Sequence, residues 1–304
     1  MIGLTSFLMP FQAYRVLVLF LLFCFSCSPR KESTELLSQS IVDDLGNPVA
    51  LKSVPHRIVS LAPSITETLF ALGLHNAVVG VTDYCDFPAE AKTKTRVGGI
   101  ANPNLEAIVA LNPDLVVMSV AGNIRGDCER LKNLGISVFV TNPQSVESVF
   151  KSIRDLGSLT GRKALADSIV EDLEQERDSL VLLAGGKPVT SALLLLSLQP
   201  IIAAGPGTFL DELIRLAHAS NVVQTAVTAY PILSREEILR RQPEVILLTN
   251  DIGVNVSRIT EQYPEWKNLP AFRNRRVHLV DANLISRPGP RIVKGLAELV
   301  NAIH

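Results

Sequence analysis

The sequence predicts an α/β protein of two lobes with mostly parallel sheets, joined by one long helix. Three observations predict it. Short apolar runs rich in Val, Ile and Leu alternate with helix-length amphipathic stretches. A segment beginning at Asn104 recurs at Ser234, an offset of 130. Between the two copies, nothing breaks a helix from Arg162 to Ala184.

The elements follow in order. Arg15 precedes a ten-residue apolar run, Val16 to Phe25. A membrane-spanning helix needs about 20 apolar residues, so this run reads as the core of a signal peptide over residues 1–26. Ser26 then precedes Cys27, a pattern similar to bacterial lipoprotein signals, which are cut before a cysteine that receives lipid. Lipidation at Cys27 is expected, with plain secretion or an uncleaved anchor as the alternatives. Ser28–Thr34 is polar and unpatterned, and residues 27–40 are read as a flexible tether.

Residues 41–144 are read as the first lobe. Gly46-Asn47-Pro48 marks a small hairpin within Ile41–Leu51. Ile58–Leu61, Ala77–Val81, Leu115–Met118 and Val138–Val140 read as buried strands. Ser64-Ile65-Thr66-Glu67 reads as a capping box, with Ser64 capping the next helix and Glu67 reaching back. Residues 145–186 are the linker. Leu165, Ile169, Leu173 and Leu180 lie on one stripe of its helix, whose 23 residues span about 35 Å at ~1.5 Å each. Such a strut bends less easily than a loop, so modest lobe motion is expected. Residues 187–304 are the second lobe, with strands at Ala192–Leu196, Val245–Leu248 and Val277–Val280.

The repeat carries a functional hint. Asn104-Leu105-Glu106 opens a helix, Pro113-Asp114 ends it, and the strand at Leu115 follows. Ser234-Arg235-Glu236, Pro243-Glu244 and Val245 repeat the pattern. Glu106 and Glu236 thus occupy matching positions, one per lobe. First-turn carboxylates are also favoured by the helix dipole, which alone explains their placement.

Composition excludes several classes. The 304 residues carry 29 basic and 30 acidic side chains, so there is no basic excess for nucleic acid. An apolar fraction of 47% with 19% charged residues excludes disorder. After cleavage only Cys85 and Cys128 remain as thiols, and a disulfide or two separate thiols both stay open. Neither cysteine has a C-x-x-C or a His at ligand spacing. His56, His75, His218, His278 and His304 are scattered, so no metal site is expected. G-x-S-x-G, G-x-x-x-x-G-K-[ST] and H-E-x-x-H are all missing, and Gly205-Pro206-Gly207-Thr208 fits no nucleotide fingerprint. An enzyme is not expected.

Several stretches in fixed order resemble the substrate-binding proteins of bacterial ABC importers. The class is the one with a helical backbone that serves cobalamin, ferric siderophores and haem. They are Arg57–Glu67, Val79–Pro88, Val97-Gly98-Gly99, Asn104-Leu105-Glu106 with Pro113–Val116, and Arg287-Pro288-Gly289-Pro290-Arg291. The resemblance runs from about Ile41 to the C-terminus. It implies two Rossmann-like lobes with a ligand cleft between them. It also implies a permease dimer with its ATPase as partner, docked through Glu106 and Glu236, and a monomeric receptor held at the membrane by its lipid.

On that resemblance Tyr84 and Tyr230 match cleft aromatics and Arg287 a cleft arginine. Loops bearing Ser64, Ile100, Asn123 and Gly205 would share the rim. Aromatic faces suit a flat macrocycle, and an arginine suits polar side chains or an anionic siderophore. Cobalamin or a related corrinoid leads, and a ferric siderophore is the alternative. Haem ranks lower, since no Tyr or His follows Val97-Gly98-Gly99 closely. Ile100, Ser119 and Ile202 stand where cobalamin receptors often carry Trp or Phe, so the stacking surface is thinner. No resident cofactor is implied; the cargo would be a metal chelate. A surface lipoprotein with an adhesive or scaffold role is the remote alternative.

Overall fold

A computed structural model describes residues 41–304; the expected signal peptide, Cys27 and the expected tether lie outside the described residues. Ile41–Val42 (β1) and Pro48–Val49 (β2) pair antiparallel as a hairpin. Five parallel strands then build the first sheet: Ile58–Ser60 (β3), Val78–Val81 (β4), Thr95–Arg96 (β5), Leu115–Ser119 (β6) and Val138–Thr141 (β7). Their order is β5-β4-β3-β6-β7. The inner strands β3 and β6 are buried at every position, which is why their apolar runs are continuous rather than alternating. Pro63–Ala71 (α1), Leu105–Ala110 (α2) and Arg125–Asn133 (α3) follow β3, β5 and β6.

Two helices make the connection. Val146–Leu159 (α4) is capped by Ser145, whose hydroxyl accepts from the Ser148 amide. Lys163–Gly185 (α5) is the expected strut, displaced by one residue. Arg177 pairs with Glu147 at 3.1 Å, and Arg154 with Glu174 at 3.0 Å, so the two helices run antiparallel. A Cβ on Gly157 would fall 2.3 Å from the Ala166 Cβ, which marks their closest approach. Ile169, Leu173 and Leu180 pack on the core as expected. Leu165 is exposed instead, and Ala166 and Val170 take the buried stripe.

The second sheet comprises Thr190–Leu198 (β8), Ile201–Ala203 (β9), Ala219–Asn221 (β10), Val245–Thr249 (β11) and Val277–Val280 (β12). β10-β8-β11-β12 are parallel, and β9 folds back antiparallel on β8. The short strands β5, β9 and β10 hold too few residues to stand out as apolar runs. Phe209–Leu216 (α6), Arg235–Arg241 (α7), Ile259–Gln262 (α8), Pro270–Arg273 (α9), Ala282–Ile285 (α10) and Ile292–Ile303 (α11) complete the lobe.

One apolar cluster runs through both lobes. Leu115 and Phe139 of the first sheet belong to it with Phe150 of α4, Val170 of α5, Leu194 of β8 and Leu299 of α11. Hinged domains have separate cores, whereas a shared one must be torn open for the lobes to part. Glu212 of α6 adds a polar tie, accepting from the Val146 amide at 2.8 Å. Cys85 and Cys128 are both free thiols, buried in different apolar clusters. No helix among the described residues is long and apolar enough to cross a membrane.

Candidate functional site

The repeat is built the same way twice. Asn104 caps α2 by accepting from the Ala107 amide at 2.9 Å; Ser234 caps α7 by accepting from the Glu237 amide at 3.1 Å. Both helices end on a left-handed residue just before proline, Asn112 at φ +45° and Gln242 at φ +48°. The next residue but one ties back to a central strand. Asp114 accepts from the His56 and Arg57 amides at 2.8 and 3.0 Å, and Glu244 accepts from the Ser191 amide at 2.8 Å. Glu106 and Glu236 therefore stand at equivalent exposed positions in the first turns of α2 and α7. The Glu236 carboxyl is held below its ordinary range by its own backbone amide and the Ser234 hydroxyl, so it is ionised at neutral pH.

The rim loops leave the carboxyl ends of the strands, where open α/β sheets bind ligands. On the first lobe they form one connected line. A Cβ on Gly99 would lie 3.9 Å from the Tyr84 ring, and one on Gly122 would meet the Ile100 side chain. The Asn123 amide fastens this line: its nitrogen donates to Leu61 O at 3.1 Å and Ile100 O at 2.7 Å, and its oxygen accepts from the Ser119 amide at 2.7 Å. Asn123 is thus spent on holding the rim rather than free for a ligand. Tyr84 is 60% exposed.

Gly205 and Tyr230 form a second group, on the other lobe. The Gly205 amide donates to Ala229 O at 2.8 Å, drawing in the loop that carries Tyr230. Tyr230 is 49% exposed, and partial burial raises its phenol pKa, so it stays neutral. A Cβ on Gly205 would fall 2.7 Å from Ala229 O and 2.9 Å from Thr228 O. Gly205→Ala is expected to push this loop outward, costing about 1–3 kcal/mol and speeding amide hydrogen exchange over residues 226–232. Unchanged exchange there would show that the loop does not depend on this contact.

Two expectations are corrected where the lobes meet. α1 starts at Pro63 with Ala62 as N-cap, and no side chain caps it. Ser64 lies inside the helix, its backbone 3.2–3.4 Å from where a Gly289 Cβ would be. Glu67 does not reach back to the helix start. Its carboxylate, 2% exposed, takes a two-pronged bond from Arg291, Nε to Oε2 at 2.8 Å and Nη2 to Oε1 at 2.7 Å. Arg287 joins at 3.3 Å. Its guanidinium, expected to face ligand, also donates to Asp86 at 2.6 Å. Arg291 further stacks 4.0 Å from the Phe87 ring centroid. Both arginines belong to the second lobe and all their partners to the first. Burial opposes the Arg287 charge, but Asp86 and then Glu67 outweigh it and raise its pKa. Asp86 is lowered in turn, chiefly by its bond to Arg287. Composition alone could not have found this cluster; the only signal was two arginines and two acids inside the motifs. Arg125 pairs with Glu129 on the surface.

A cavity of about 590 Å³ opens between the hairpin turn and α3, over Met118, Ser119, Cys128 and Val140. It meets the rim at Asn123, but Tyr84, Tyr230 and Arg287 do not line it. Among the described residues no group of His, Cys, Asp and Glu could hold a metal ion.

Known proteins share this arrangement. The family described as "Periplasmic binding protein" matches residues 58–284. The ABC transporter substrate-binding lipoprotein YvrC of Bacillus subtilis is 32% identical over 289 residues, covering 91% of this chain and 89% of that protein. The vitamin B12-binding protein of Salmonella paratyphi A is 31% identical over 256 residues, covering 84% and 92%. The apo structure of the periplasmic heme-binding protein RhuT from Roseiflexus superposes with a TM-score of 0.74 at 26% identity, over 82% of this chain and 99% of that one.

Proposed function

Because the chain belongs to the periplasmic binding protein family and is the substrate-binding protein of an ABC transporter, we propose that it captures cobalamin or a related corrinoid and hands it to the permease. The observation that carries this reading is the pair of half-exposed tyrosines, Tyr84 just after a strand of the first lobe and Tyr230 in a loop of the second. Two such faces suit a flat, largely apolar macrocycle with a polar fringe. The likeness to a vitamin B12-binding protein over most of the chain supports it. Titrating the full chain with cyanocobalamin tests it. Tyr84→Ala and Tyr230→Ala are each expected to weaken binding by about 1–3 kcal/mol. Unchanged affinity would remove them from the site.

A ferric siderophore is the second reading, favoured by the arginine in the rim. The two carboxylates already on Arg287 weigh against it. We assign permease docking to Glu106 and Glu236, one acid per lobe for a two-fold partner. Their twin geometry supports this. Lipidation at Cys27 completes the reading, in keeping with a relative that is itself a lipoprotein.

A further inference from the structure

We propose that Asp86 is a specificity-determining residue: by holding Arg287 in an ion pair, it makes the rim favour neutral, amide-bearing chelates over anionic ones. The proposal rests on the rim being the ligand cleft. Glu67 is already matched, since both its oxygens accept from Arg291. Asp86 is therefore the anion that balances Arg287, through a 2.6 Å contact to Nη1. Two cations and two anions leave this end of the rim with no net charge. The partners differ in access. The Glu67 side chain is 2% exposed and that of Asp86 is 50% exposed. An arriving ligand meets Asp86 first.

Two further cations lie nearby and keep their charge, but neither forms an ion pair with Asp86. Arg96 spends Nη1 on the carbonyls of Thr82 and Cys85, at 2.6 and 3.0 Å, bracing the turn that holds Tyr84. Lys92 also lowers the Asp86 pKa, after Arg287 and the Asp86 backbone amide. A ligand carboxylate brought to Arg287 would displace Asp86 or lie beside it, and like charges a few ångströms apart repel by amounts that matter for binding. A neutral amide meets no such repulsion and accepts from the guanidinium hydrogens that remain.

The test uses the full chain and three named compounds. They are cyanocobalamin, its monocarboxylic acid in which one side-chain amide has become a carboxylate, and a trianionic ferric tris-catecholate. Asp86→Asn keeps the shape and an acceptor for Arg287 while removing the charge; Asp86→Ala is the second variant. The parent protein is expected to bind cyanocobalamin at least tenfold more tightly than the monocarboxylic acid. Asp86→Asn is expected to tighten both anionic compounds about tenfold and to leave cyanocobalamin within about threefold. Equal changes for all three compounds in both variants, or no change in any, would overturn the proposal. A parent that prefers the tris-catecholate to both corrinoids ends the corrinoid reading, yet a tenfold gain for that anion in Asp86→Asn still upholds the role of Asp86. Binding of none of the three by any of these proteins ends both.

Discussion

Replacing Arg291 by alanine is expected to lower the unfolding free energy by about 3 kcal/mol and to loosen the contact between the lobes. The guanidinium forks both oxygens of Glu67, whose side chain is 2% exposed. Removing one partner of a buried ion pair costs about 3–5 kcal/mol, because the other charge stays buried. Arg287, at 3.3 Å, recovers part of this. Glu67→Leu with Arg291→Met is expected to cost less than Arg291→Ala alone, since it leaves no orphaned charge at this pair. Arg125→Ala is the control. Its pair with Glu129 has side chains 88% and 64% exposed, and such surface pairs contribute about 0–1 kcal/mol. Denaturant titration separates the outcomes, and hydrogen exchange along α1 reports the loosening. Equal costs for Arg291→Ala and Arg125→Ala would mean that this contact does not hold the lobes. The neighbouring Asp86–Arg287 pair adds a pH signature. Asp86 is depressed below its ordinary 3.8 in the folded chain. Its stabilisation is fully present above that pH and is lost as pH falls through the lower folded value.

This contact also explains which parts of the molecule were legible. The strands at Ile58, Leu115, Val138 and Val245 stood out because both faces of a parallel sheet are covered, and buried runs need no alternation; the edge strand at Val277 is only partly buried and stood out by its β-branched residues alone. α2 and α7 stood out because caps and prolines act within a few residues. The meeting of Glu67 with Arg291 spans 224 positions, and that of Glu67 with Arg287 spans 220. No local pattern encodes them. Glu67 lay three residues after a serine, the spacing of a capping box, and that local rule suggested the wrong partner. Pro63 already starts the helix with its fixed backbone angle, so Ser64 has no capping position to fill. Asn123 shows the same limit. Its place on the rim was legible from the loop, but that its amide bonds backbone at residues 61 and 100 was not.

Reversing the two acids proposed to dock the permease, Glu106→Lys with Glu236→Lys, is expected to abolish uptake while leaving ligand affinity within about twofold. Neither carboxylate forms an ion pair among the described residues, and both side chains are exposed. The fold leans on them only through the mild preference of a helix start for negative charge and, at Glu236, through its own backbone amide and the Ser234 hydroxyl, all at the surface where solvent and salt screen. The chain should therefore fold and bind as before. Exposed charges act on association through orientation and encounter rate, and a like charge placed against a cationic partner repels it. The twin geometry sharpens the expectation. Both helices are capped at the same step and end on the same left-handed turn before proline. Two equivalent acids on a rigid body can meet a two-fold partner only together. Either single reversal should then cost most of the transport rate, and the second should add less than the first. Uptake of labelled cyanocobalamin into vesicles bearing the permease and its ATPase measures the rate, and titration calorimetry measures affinity. Rising salt should slow the parent protein and change the double variant little. Loss of affinity in the double variant, or uptake that survives it, would remove Glu106 and Glu236 from the permease interface.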